Sequence, residues 1–379
     1  MLFHSVVATH AMLLRLESNP KISGLVRELY FSTHPELRLP DIDDFIKILP
    51  SLHSLDISAN TFPRDDDEDQ LFSGEYHIEN LKLQYEFESD FPQDTDLFIQ
   101  DITQLLSLFS RIGVLDIELF GIPPSSSPDS AALVHSAVER HVVGALEIYT
   151  LLLRGGLAMD TSFFPQYLIQ IGAVHRLTSI KCYFIQSHEL DGFCGLLIEV
   201  QHTLKILSIY DYPDYDWTTK ENTLGDVGSY LKNLSRGLSV CSLLEEMEVE
   251  MAFENSPEDK LDELRGCREC FDMAINMVAL VPKYNLRRVR ISFYGYTLPT
   301  IHHLEWSHLH DLCRKFPDLQ WVDVALYQPF DQRKCLAYEM SPFEAIFTPR
   351  YIKGLVKDPP ERLECKHNGC KKHNEAGSS

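Results

Sequence analysis

The chain has 379 residues, 44% of them hydrophobic and 24% charged. That is the composition of a folded protein too long for one ordinary compact domain, which leaves two or three domains or one elongated array. Its 34 basic and 56 acidic residues give a formal charge of −22, a field that repels phosphate backbones and argues against general nucleic-acid or anionic-membrane binding.

No stretch approaches the roughly 20 apolar residues that a membrane helix needs. The opening MLFHSVVATHAMLLRLESNP is interrupted by His4, His10 and Arg15 and has no basic start, so it does not read as a secretory signal. The spacing predicts that residues 4–17 form a helix that caps the first repeat. The nine cysteines are odd in number and irregularly spaced. They predict a reduced, intracellular protein, cytoplasmic or nuclear.

From residue 26 onward one template recurs: a hydrophobe, two free positions, a hydrophobe, one free position, a hydrophobe. It fits first at Val26/Leu29/Phe31, then at Leu52/Leu55/Ile57 after the helical segment IDDFIKIL. Ile78/Leu81/Leu83 follows, and Ile112/Leu115/Ile117 comes after LFIQDITQLLSLFS. Unit five is read at Val143/Leu146/Ile148. Unit six, Leu177/Ile180/Cys182, follows FFPQYLIQIG, and unit seven, Leu204/Leu207/Ile209, follows FCGLLIEVQ. The last three are Leu244/Met247/Val249, Leu286/Val289/Ile291 and Leu319/Val322/Val324. Starts lie 26 to 42 residues apart with a mean of about 33, inside the range of repeat proteins.

At this hydrophobic content the template alone recurs by chance, so the context carries the weight. Helical periodicity precedes most units, and runs such as LDIELF and VRISFY alternate with period two. Strands separated by crossover helices pair in parallel. A single helix-strand unit cannot bury its own apolar face, but stacked neighbours can. The fold expected is therefore α/β: a right-handed leucine-rich-repeat-like solenoid over 1–355, with a curved parallel sheet, outer helices and about ten irregular repeats. Residues 356–379 are expected to form a disordered tail. Polar inserts at 61–77, 121–130, 211–226 and 253–266 read as surface loops, the first carrying the acidic run 65–68.

Side chains alternate along a strand, so template positions three, five and seven should share the open, concave face. In units eight and nine this sets Glu246 beside Arg288 and Glu248 beside Arg290. In units five, six and seven it sets Tyr149, Tyr183 and Tyr210 at position seven, with Glu147, Lys181 and Ser208 at position five. Asp116 and Glu118 of unit four flank them. Tyrosine offers large contact area, few rotors and one polar tip, which suits protein recognition. Tyr149, Tyr183, Tyr210, Glu147, Lys181, Asp116 and Glu118 are therefore the candidate binding residues for a protein partner.

LLRLESNPKISGLVRELYFS (13–32), with its Ser18-Asn19-Pro20 turn and Val26-Arg27-Glu28-Leu29 strand, resembles the segment after the F-box in fungal F-box proteins of the leucine-rich-repeat type. ILPSLHSLDI and KFPDLQWVDV are similar to that family's repeat units. The resemblance implies a substrate-recognition subunit of a cullin-type ubiquitin ligase, in which the F-box holds the adaptor and the repeats hold the target. Here the first template unit begins at Val26, and LPDIDDFI (39–46) belongs to repeat two, so the F-box half is expected to be absent and any link to a ligase to be indirect.

Nothing in the sequence carries a dinucleotide fingerprint, a phosphate loop, a GxSxG elbow or an HExxH helix. Cys365, His367, Cys370 and His373 are close enough in sequence to bind zinc, yet the tail offers no apolar support, and no metal or cofactor is assigned. Cys267 and Cys270 fall on a helical segment as core or boundary residues. The expected function is a non-enzymatic protein-interaction scaffold. The alternative is an α/β hydrolase or transferase without a recognisable active-site motif.

Overall fold

The computed structural model describes residues 5–32, 39–59, 74–86, 94–120, 146–155, 163–183, 190–211, 215–216, 221–222, 227–252, 260–294 and 304–327. The chain is α/β and packs as two compact units, one of 1–210 with 232–243, the other of 211–231 with 244–379. The periodicity alone predicts a single solenoid across 1–355. The zinc-type cluster Cys365 to His373, the acidic run 65–68 and the insert 121–130 lie outside the described residues.

The first unit is built on parallel strands β1 (Ser5–Val7), β2 (Glu28–Ser32), β3 (Ser54–Ala59), β4 (Tyr76–Glu86), β5 (Phe109–Phe120), β6 (Glu147–Gly155), β7 (Ser179–Tyr183) and β8 (Ile206–Asp211). Each pairs with the next in chain order, as crossover connections require. The helices are α1 (His10–Glu17), α2 (Pro20–Ser23), α3 (Leu39–Ile48), α4 (Asp94–Leu106), α5 (Phe163–Gln170), α6 (Leu190–Glu199) and the later part of α7 (Val227–Leu238). Template hydrophobes form the buried face: Val26, Leu29, Leu55, Leu81, Leu115, Ile180 and Leu207 are all wholly inaccessible. Helix side chains pack onto them, as where Phe45 of α3 meets Phe31 edge-on at 5.4 Å between centroids.

The second unit has β11 (Glu246–Ala252), β12 (Arg288–Tyr294) and β13 (Trp321–Tyr327), again parallel and in register, with α8 (Lys260–Leu280) and α9 (Trp306–Lys315). In α9 the buried residues Trp306, Leu309, Leu312 and Cys313 recur at helical spacing, and Phe271 of α8 packs on both Trp306 and Phe293. The expected ladder is present. Glu246 faces Arg288 at 3.1 Å and Glu248 faces Arg290 at 3.5 Å, and Arg290 also reaches Asp323 at 3.1 Å.

A repeated backbone device sets the register. The carbonyl at template position two accepts hydrogen bonds from the next unit. Arg27 takes the N–H groups of His53 and Ser54, Thr178 those of Lys205 and Ile206, and Arg287 those of Gln320 and Trp321. One carbonyl with two lone pairs thus satisfies two donors at the mouth of each of these strand pairs.

Five expectations need correcting. Residues 5–7 are not part of a capping helix: they form β1, which pairs with Glu28 to Tyr30, and α1 starts after Thr9, whose side chain caps Met12 N–H at 3.1 Å. Unit five is shifted by five residues. Ile112 pairs with Ile148, Leu115 with Leu151 and Ile117 with Leu153, so the template sits at Ile148/Leu151/Leu153 rather than Val143/Leu146/Ile148. Thr178 N–H bonds the Tyr149 carbonyl, which places Tyr149 at position two. Of the insert 253–266, residues from Lys260 onward open α8 instead of forming a loop, and Tyr76 and His77 of the insert 61–77 belong to β4. The insert 211–226 contains a short antiparallel ladder, β9 (Tyr215–Asp216) with β10 (Glu221–Asn222).

Gly113 shows how tightly β4 and β5 approach: an added Cβ would lie 2.6 Å from the carbonyl oxygen of Glu79. Gly113→Ala is expected to push these strands apart and cost about 1–3 kcal/mol. Denaturant unfolding checks this, and an unchanged midpoint would contradict it.

Candidate functional site

With the register fixed, the open face of the first unit can be read row by row across the strands. Position five runs Tyr30, Asp56, Lys82, Asp116, Leu152, Lys181 and Ser208. Position seven runs Ser32, Ser58, Gln84, Glu118, Arg154, Tyr183 and Tyr210. Tyr183 and Tyr210 therefore stand side by side as expected, but the third place in their row belongs to Arg154.

The side chains in these rows touch. The Tyr183 and Tyr210 rings stack face to face, 4.3 Å between centroids and 8° from parallel. The Arg154 guanidinium lies 5.4 Å from the centre of the Tyr183 ring and donates to Asp116 Oδ2 at 3.0 Å. Lys82 sits between Asp56 at 3.7 Å and Glu118 at 3.8 Å, and Glu118 also accepts from Gln84 at 2.7 Å. In part-buried pairs of this kind desolvation offsets much of the Coulomb attraction, so each contributes about 1 kcal/mol or less. A cation on an aromatic face adds about 0.5–1 kcal/mol. The value of the array lies in holding its members still: Arg154 is clamped between a carboxylate and a ring, and Tyr183 between a cation and a second ring.

Tyr149 and Glu147 belong elsewhere. They lie at the N-terminal ends of the strands, about 16 Å (Tyr149) and about 23 Å (Glu147) along β6 from Arg154 at the usual rise per residue. There Tyr149 donates to Glu147 at 3.0 Å, Arg111 covers the Tyr149 ring at 4.7 Å, and Arg176 donates to Glu147 at 3.4 Å. The structure thus joins Asp116, Glu118, Lys181, Tyr183 and Tyr210 on one face and separates Tyr149 and Glu147 from them. Arg154, Lys82 and Asp56 were missed. The turn signal Arg154-Gly155-Gly156 marks where β6 ends and would have located Arg154.

No protein-family model matches the chain, and no curated protein matches its sequence. Among the described residues, no group of three His, Cys, Asp or Glu is placed to hold a metal ion, and no helix is long and apolar enough to cross a membrane. Cys267 and Cys270 are buried in α8. Burial pushes the Cys313 thiol up to about 11 and that of Cys241 up to about 12, so both stay protonated near neutrality and act as packing groups. What the open face offers is an ordered platform of rings, hydroxyls and fixed charges.

Burial raises the carboxyl of Asp116 above its ordinary value of 3.8, against the pull of Arg154 and Lys82. Its Oδ1 is buried and has no hydrogen-bond partner among the described residues, which is why desolvation prevails. The folded state then binds this proton more tightly than the unfolded chain does. Asp116 therefore loses stabilising effect as pH rises from the ordinary value through the raised one. In unfolding experiments at about pH 3.5 and about pH 6, the stability of the native protein relative to Asp116→Asn is expected to fall with rising pH. A difference that is flat, or that grows in favour of the native protein, would contradict the assignment.

Proposed function

We propose that the chain is a non-enzymatic protein-binding module of leucine-rich-repeat type, corresponding to the target-recognition half of an F-box-like receptor. The repeat reading is supported by parallel strands in constant register, by template hydrophobes buried unit after unit, and by the recurring position-two carbonyl. The buried free cysteines among the described residues suit a reducing intracellular compartment, cytoplasmic or nuclear. The indirect link to a cullin-type ubiquitin ligase rests on the resemblance of 13–32 and the repeat units to that family.

The observation that carries a binding role is the row Glu118, Arg154, Tyr183 and Tyr210 with Asp116 beside it. Tyrosine and arginine supply much of the energy of protein interfaces because they combine large apolar area with directed polar tips. Here they are held in place before any partner arrives, which lowers the entropy cost of association. The second unit carries Arg288, Arg290 and the half-exposed Trp321 on its own open face, with both arginines paired to carboxylates of neighbouring strands.

Affinity capture by the tagged full-length chain tests this reading. Tyr183→Ala/Tyr210→Ala is expected to reduce recovery of specific partners by about tenfold or more, the loss typical of truncating central interface rings. Tyr149→Ala, remote from the row, should leave recovery unchanged. If the double variant keeps its circular-dichroism spectrum and captures the same partners equally well, the binding surface is not on this face.

A further inference from the structure

The three-by-three block of open-face positions on β6, β7 and β8 holds Thr150, Leu152 and Arg154; Ser179, Lys181 and Tyr183; and Ile206, Ser208 and Tyr210. In a chain of formal charge −22 these nine positions carry two cations and no acid. Arg154 is matched by Asp116 at 3.0 Å. The nearest other acid on the β5 side, Glu118, is engaged by Lys82 and Gln84. Lys181, at the centre of the block and half-buried, forms no ion pair with any carboxylate among the described residues. Its lateral neighbours are Leu152 and the buried Ser208. A cation held beside apolar and hydroxyl groups interacts more strongly with an incoming anion than one surrounded by water.

We propose that Lys181, with the Tyr183–Tyr210 stack, is a seat for one Asp or Glu side chain of an extended segment of a partner protein. The proposal rests on the protein-binding reading above and specifies the partner's chemistry. One cation without a carboxylate partner among the described residues matches one carboxylate. A phosphate carries nearly twice the charge and is usually met by several arginines, whereas the one arginine of this block is already occupied. The stacked rings lie two residues further along the strand, about 6.6 Å from Lys181 at strand geometry. An extended segment running along β7 presents side chains to one face at every second residue. The carboxylate on Lys181 is therefore expected two positions from an apolar or aromatic residue that lies on the rings.

Selection of random displayed peptides on the immobilised full-length chain tests this, with Lys181→Glu, Lys181→Gln and Tyr183→Ala/Tyr210→Ala screened in parallel. The native chain is expected to enrich peptides with Asp or Glu two positions from an aromatic or apolar residue, and Lys181→Glu to enrich Lys or Arg at that place. Changing the acid of a selected synthetic peptide to Gln should weaken binding to the native chain about five- to tenfold and leave binding to Lys181→Gln unchanged. Peptides that bind Lys181→Gln as well as the native chain, yet are lost on the double Tyr variant, would overturn the carboxylate seat while leaving the protein-binding face intact. A phosphoserine peptide that binds over tenfold tighter than its Glu counterpart would also overturn the seat. No enriched peptides, or peptides indifferent to every substitution, would overturn both.

Discussion

Parallel strand pairing is the constraint on which everything else in each unit depends. A strand cannot satisfy its own N–H and C=O groups, and a parallel neighbour can be reached only through a crossover. Every connection must therefore return the chain to the same end of the sheet. The double-acceptor carbonyl at position two, seen at Arg27, His53, Thr178, Glu245 and Arg287, closes those five returns at the same point of the next strand. Once that point is fixed, alternation does the rest: positions four and six turn inward against helices, and positions three, five and seven turn outward.

The outward rows are where sequence becomes recognition surface. Nothing in the fold demands Tyr at 183 and 210 or Arg at 154, because the hydrophobes that stabilise these strands point the other way. Register alone brings residues nearly a hundred positions apart, Asp116 to Tyr210, into one contiguous line of contacts. The same geometry surrounds Lys181 with block positions that hold no acid, although the chain as a whole is strongly acidic. The second unit uses its outward rows differently, alternating Glu246 with Arg288, and Glu248 with Arg290 and Asp323, so that charges are matched across strands.

Much of this was legible because the pattern is local. Hydrophobe spacing located nine of ten units, and alternation correctly set Glu246 against Arg288 and Tyr183 against Tyr210. Unit five failed for a specific reason. VVGALEIYTLLLRGG satisfies the template at both Val143 and Ile148, and spacing to the neighbouring units does not separate the two. Only the Gly155-Gly156 pair after Arg154 does, since a strand ending at Ile148 would run on into Tyr-Thr-Leu-Leu-Leu. That slip moved Tyr149 and Glu147 onto the wrong row and hid Arg154. The strand β1 was missed because three residues are too few to show a period, and its pairing with β2 supplies what its own sequence does not signal.

The register of β6 against β7 is the claim on which the site depends, and disulfide trapping measures it directly. Arg154 and Tyr183 are in-register neighbours, so cysteines placed at both sit within the roughly 4.4–6.8 Å Cα separation that a disulfide spans. Cysteines at Tyr149 and Tyr183 would be separated by about 16 Å along the strand direction. Mild oxidation followed by peptide mapping is predicted to yield a cross-linked 154–183 peptide pair and none for 149–183. A 149–183 cross-link, with 154–183 remaining reduced, would contradict the register and remove Arg154 from the binding row.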